Sequence, residues 1–97
     1  MLLLPAELMH DQASVCSRML NLAIRSEPGP EVLADVSALD RFDSSALAVL
    51  LECRREAMVC GKRFGVTGWT PRLRELASLY GVAELLSPDS TSATTEP

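Results

Sequence analysis

The apolar positions change their spacing several times along the chain, and each change marks an element. Residues 1–4 form a short apolar run closed by Pro5, which cannot donate to a ladder, so they read as a first strand. Residues 5–10 read as a connection. From Asp11 the spacing is helical: Ala13, Cys16, Leu20 and Ala23 share a face, Val15, Met19 and Leu22 widen it, and Arg18, Asn21 and Arg25 point outward. Asp11 or Ser14 supplies the cap. Pro28, Gly29 and Pro30 end the helix.

Residues 31–36 are the clearest strand, short, valine-bearing and bounded by Pro30 and a polar turn. A second helix runs from Ser44 to about Cys60, with Ala46, Leu50, Cys53, Ala57 and Cys60 on one face and Leu47, Leu51 and Met58 beside it. Gly61 closes it as a C-cap. Residues 62–67 read as another strand, with Phe64 and Val66 on one side. Thr70 and Pro71 then open a third helix whose stripe is Leu73, Leu76, Ala77 and Tyr80, ended by Gly81. Residues 82–86 add a last short strand or turn. Residues 87–97 are small and polar, and are expected to be a disordered tail outside a domain of residues 1–86. Strands alternating with helices predict an α/β sandwich with a mostly parallel sheet of three or four strands and three main helices.

Size and charge narrow the function. The 97 residues suit one domain with one core, and 47% hydrophobic with 23% charged residues is the balance of a folded chain. Aromatics are only 4%, so the core must be aliphatic. Nine basic residues against 13 acidic ones leave a net charge of -4, which offers no footprint for nucleic acid or anionic lipid. The opening residues do not read as an export signal, and no apolar run is long enough to span a membrane. The three cysteines, Cys16, Cys53 and Cys60, all fall on helical apolar positions and read as reduced, buried thiols of a cytoplasmic protein.

Catalytic chemistry finds few candidates. His10 is the single histidine and no cysteine pair has ligand spacing, so no metal site is expected. Ser44 and Ser45 lack a base and a nucleophile-elbow context. The five glycines are scattered singly, so no phosphate-cradling loop exists. No cofactor and no enzymatic activity are expected. What remains is Asp43-Ser44-Ser45 at the start of the second helix. These residues fit an N-cap. They also fit a switch or a polar contact at an interface, because a helix N-terminus exposes free amides and a positive dipole end that would stabilise a phosphate on Ser44 or Ser45, while Asp43 would oppose it. Residues 46–51 (Ala46, Leu47, Ala48, Val49, Leu50, Leu51) are all apolar and so encircle the helix. One side must meet the sheet, and an exposed remainder would mark a protein contact.

The same stretch resembles the STAS domain family, which contains bacterial anti-sigma factor antagonists and the Mla lipid-transport accessory subunit. The resemblance rests on Asp35-Val36-Ser37 followed by Phe42-Asp43-Ser44-Ser45-Ala46-Leu47, on the earlier Leu4-Pro5-Ala6-Glu7-Leu8, and on the run from Leu73-Arg74-Glu75-Leu76 through Leu79-Tyr80-Gly81-Val82 to Leu85-Leu86. It departs from the pattern where Ala6 and Ala46 replace common glycines. The strand that family members carry before the Leu4 segment is also missing, which leaves an open sheet edge to be covered by a partner or by a homodimer pairing through residues 1–4.

The resemblance implies a non-catalytic subunit that docks on another protein. The Leu79-Tyr80-Gly81-Val82 ending and the compact chain look more like the Mla branch. That branch implies binding to the cytoplasmic ATPase of an ABC transporter that moves phospholipid across the envelope, without membrane insertion, so that the chain is peripheral at the inner membrane. There the position matching Ser44 is a hydroxyl at the contact. The antagonist branch implies an anti-sigma factor kinase as partner and phosphorylation at the position matching Ser45. The expected contact residues are Asp43, Ser44, Ser45, Ala46, Leu47, Ala48 and Leu51.

Overall fold

The computed structural model describes residues 2–86. Its elements are β1 (Leu2–Leu3), β2 (Glu7–Leu8), α1 (His10–Ser26), β3 (Glu31–Asp35), β4 (Arg41–Phe42), α2 (Ser44–Val59), β5 (Arg63–Thr67), α3 (Pro71–Leu79) and α4 (Ala83–Leu86). Among the described residues, one sheet has the order β1-β3-β5 and is parallel throughout. A smaller ladder pairs β2 with β4, also in parallel. The expected α/β architecture with parallel strands is therefore present.

Strand order follows chain order across the main sheet, so two crossovers of the same hand set α1 and α2 on one face, side by side. The core lies between those helices and the sheet. Val32, Ala34 and Val36 enter it from β3 and its end, Phe64 and Val66 from β5, and Leu50, Cys53 and Ala57 from α2. Leu and Ala supply most of its volume, as the scarcity of aromatics requires.

Helix ends are held by identifiable groups. Met9 precedes α1 and has no capping oxygen. Gln12 reaches back instead, its Oε1 accepting from the Met9 N–H at 2.8 Å, so neither Asp11 nor Ser14 is the cap. At the far end the Lys62 Nζ donates to the carbonyls of Ile24 (2.9 Å) and Glu27, placing a cation where the α1 dipole is negative. The Arg25 Nε donates to Glu56 at 2.6 Å and ties α1 to α2. The Thr70 Oγ1 accepts from the Leu73 N–H at 3.3 Å, with Pro71 in the first turn of α3.

Several expectations are corrected. The connection at residues 5–10 contains β2, and the turn after β3 contains β4; two-residue strands carry no periodic signal. Residues 82–86 close in a helical turn, α4, whose Leu86 is buried in the core. The stripe of α1 is narrower than expected: Val15, Met19 and Leu22 are exposed, while Asn21 turns inward and its Oδ1 is buried with no partner among the described residues. Tyr80 is exposed. Cys60 is exposed too and stands at the C-cap of α2, outside the regular helix whose stripe it was expected to continue. Met1 and the expected tail at residues 87–97 lie outside the described residues.

Burial separates the thiols. Desolvation pushes the Cys53 thiol up to about 12 and raises that of half-buried Cys16. Titration of the native chain with a thiol-reactive dye is expected to label Cys60 first and Cys53 only after denaturant is added. Equal rates at Cys53 and Cys60 would contradict this packing.

Candidate functional site

The parallel ladder β2–β4 organises the site. The Ala6 carbonyl accepts from the N–H groups of both Asp40 (2.7 Å) and Arg41 (2.9 Å), which locks the segment before β2 to the segment before β4. The ladder then pairs Glu7 with Arg41 and Leu8 with Phe42. Each of these strands runs directly into a helix, β2 into α1 and β4 into α2, so two helix N-termini emerge side by side. Each exposes amides that its own helix cannot satisfy.

Asp43 serves both. Its Oδ1 accepts from the Ser45 N–H at 2.8 Å, the N-cap bond of α2, and its Oδ2 accepts from the His10 N–H at 3.2 Å in the first turn of α1. The Ser45 amide holds the Asp43 carboxyl below the ordinary carboxylate value, with the Ser45 side chain and the His10 amide acting the same way against a desolvation that opposes them. The expected capping role is thus present. The link to His10 has no signature in the sequence, because it spans 33 positions and uses a backbone donor.

A second acidic turn lies nearby, at the carboxyl ends of β3 and β5. The Asp35 Oδ1 accepts from the Ser37 N–H at 2.9 Å, and that backbone bond, with the Ser37 side chain behind it, lowers the Asp35 carboxyl. Gly68 follows β5 at φ +77°. A Cβ there would stand 2.6 Å from the Asp35 Oδ1 and 2.9 Å from the Ser37 Cβ. Gly68 therefore has no substitute at this position, both for its backbone conformation and for the close approach. The neighbouring Val36 N–H donates to the Thr67 carbonyl at 2.9 Å, so the two strand ends are fastened together.

The contact residues expected from the sequence separate by burial. Ser44 is exposed, while Asp43 and Ser45 are half-buried. Ala46 and Leu47 are buried in the core, as are Val49 and Leu50, and Leu51 packs partly against that core. The apolar run at residues 46–51 is explained by helix packing on two sides: the sheet beneath and α1 alongside. Ala48 alone in the run is exposed, in a groove of mixed character shared with Ala13, Ser14, Ser17, Arg18, Asn21, Val49 and Glu52. Ala46 and Leu47, expected among the contact residues, thus have their side chains in the core.

Exposed apolar surface beside the hydroxyls comes from another element. Phe42, Asp43, Ser44, Arg72, Leu79 and Tyr80 border a groove of about 800 Å³ between the start of α2 and the end of α3. Leu79 is 80% exposed and Tyr80 57%. Arg72 lies over the Phe42 ring at 4.8 Å and donates to the Asp40 carbonyl at 3.1 Å, so α3 is pinned to β4. Arg74 lies over Trp69 at 5.6 Å. The groove combines the hydroxyls of Ser44 and Ser78, the carboxylates of Asp43 and Glu75, the Arg72 guanidinium and the large apolar side chains of Phe42, Leu76, Leu79 and Tyr80. The Asp43 contact with His10 runs through the backbone amide and sets the helix ends.

Two variants test this construction. Asp43→Asn, which keeps a capping oxygen for Ser45 but loses the charge and the acceptor for His10, is expected to lower the melting temperature at neutral pH by a few degrees. A carboxyl depressed in the folded state contributes stability above its unfolded value, and that contribution is lost as pH falls through the folded value. The gap between wild type and Asp43→Asn should therefore close as pH is lowered from about 5 to below the ordinary 3.8; a gap independent of pH would refute the role of the charge. Gly68→Ala is expected to cost about 1–3 kcal/mol in urea unfolding, and a neutral result would exclude the close approach to Asp35 and Ser37.

No curated protein matches this sequence. A family model described as "Mlab, STAS domain" matches residues 1–87, which takes in the parallel sheet, both capped helices, the groove and all of the described residues. Among those residues no helix is long and apolar enough to cross a membrane. With a match over nearly its whole length, the chain belongs to the STAS domain family.

Proposed function

We propose that this STAS domain is a non-catalytic interaction module that binds and regulates the cytoplasmic ATPase of a phospholipid-transporting ABC complex, and through it is held at the inner membrane. Membership of the family described as Mlab supports the transporter reading. The observation that carries the interaction reading is the groove at the start of α2, where exposed Ser44 stands beside Leu79 and Tyr80. Large apolar side chains next to a fixed polar rim are the composition of a protein contact, in which the apolar residues provide affinity and the polar ones register.

The contact in this reading is made by Phe42, Asp43 and Ser44, with half-buried Ser45 behind them, and by Leu79 and Tyr80 from the end of α3. Ala48 and Leu51 extend it only along the side of α2, and Ala46 and Leu47 support it from the core. Asp43 acts by holding the N-terminus of α2 in place. Ser44 is the more accessible hydroxyl for a partner or for modification. A phosphate there would share its groove with the Asp43 and Glu75 carboxylates and the Arg72 guanidinium, changing the charge that an incoming partner sees.

Affinity purification of the tagged chain from its native host is expected to recover an ATPase and its permease. Leu79→Asp and Ser44→Asp should each weaken that recovery at least about tenfold with an unchanged melting temperature. Recovery of a sigma-factor-binding kinase instead, with phosphate mapped to Ser44 or Ser45, would replace the transporter reading with that of an anti-sigma factor antagonist.

A further inference from the structure

Helix α1 carries two apolar stripes. Leu20 and Ile24 face the core, with Ala13, Cys16 and Ala23 beside them. On the outside, Val15, Met19 and Leu22 recur one helical turn apart and are 56%, 66% and 63% exposed. Val15 and Met19 also line a groove of about 530 Å³ that reaches Leu3 and Pro5 at the edge of the main sheet. That edge is open among the described residues: β1 pairs only with β3, and the Leu4 N–H turns inward to the Asp35 carbonyl. Backbone groups alternate sides along a strand, so those of Leu3 point outward, away from β3. Leu3 is itself 73% exposed.

The charges around this face are arranged by sign. Glu7 and Asp11 stand at its start, Arg18 at its middle and Arg25 at its end. A surface acidic at one end and basic at the other complements itself when turned end over end. An antiparallel pair of α1 helices centred near Arg18 and Met19 sets Val15 against the partner's Leu22, Met19 against the partner's Met19, and Asp11 beside the partner's Arg25, while the two exposed Arg18 side chains flank the axis and must splay toward solvent. Arg25 bonds Glu56 through Nε with its side chain 63% exposed, which leaves guanidinium donors for a second carboxylate. Antiparallel helices also oppose their dipoles favourably. The same twofold axis brings the open β1 edges toward each other, which removes the liability of an unpaired strand. Residues 87–97 contain no large apolar side chain with which to cover the stripe.

We propose that the outer face of α1, with the edge of β1, joins two copies of this chain in a twofold dimer. The surface shares no residue with the groove at Ser44, so a dimer can present that groove twice.

Sedimentation equilibrium of the full chain is the test. Wild type is expected to be a concentration-dependent dimer. Met19→Glu should weaken it at least about tenfold while circular dichroism and the melting temperature stay at wild-type values. Asp11→Arg and Arg25→Asp should each weaken the dimer, and the double variant should restore it, a rescue that loss of the Glu56 pair alone would not produce. Should Met19→Glu fail to fold, Met19→Gln and the charge-swapped pair decide the matter. A wild type that stays monomeric throughout the accessible concentration range overturns the proposal, and so does a dimer indifferent to both Met19→Glu and the charge swap. A monomer that floats with phosphatidylglycerol vesicles would overturn it too, assigning the same stripe to lipid.

Discussion

One carboxylate joins the starts of the two principal helices. Asp43 accepts from Ser45 in α2 and from His10 in α1, and no other side chain among the described residues bonds to both helix ends. Free helix amides are costly to leave unpaired, and capping each end separately would leave their relative position loose. Sharing one acid fixes that position as well. The β2–β4 ladder makes the sharing possible by delivering both chains to the same point in parallel. The exposure of Ser44, the half-burial of Ser45 and the seating of Phe42 under Arg72 all follow from this junction.

The core imposes a second constraint. With few aromatics, burial depends on many small aliphatic side chains, and α2 has to be apolar on two sides to serve both the sheet and α1. This is why the residues around its first turns go inward and leave little apolar surface there. Large apolar groups are displaced to the periphery: Phe42, Leu79 and Tyr80 around the groove, and Val15, Met19 and Leu22 on the outside of α1. The two surfaces lie on different elements, so the proposed recognition and the proposed self-association would not compete for the same residues.

Much of this was legible in the chain. Residues 31–36 and 62–67 read as strands because β-branched and aromatic residues fall between clear breakers, and β3 and β5 lie within one residue of those bounds. Helix α2 was legible from its cap and from Gly61, and α3 from Thr70 and Pro71. The site was legible as a place and only partly as a surface. Asp43, Ser44 and Ser45 stand at the helix start as expected, but an unbroken apolar run cannot say which of its sides is covered. Leu47 went to the core and Ala48 to solvent because α1 packs beside α2, and that neighbour lies far away in sequence.

Local chemistry, then, determined the element types, the parallel alternation of strands and helices, the aliphatic core and the capping acid, since each depends on residues within a few positions of one another. The tertiary structure decided what depends on distant partners. It made the pairing of β2 with β4, the second helix end held by Asp43, the close approach of Gly68 to Asp35, and the coil of residues 83–86 over the core. It also decided which of the two apolar stripes of α1 faces inward. Hydrophobic burial is non-directional, so a sequence can show that a residue is apolar without showing which surface it will meet.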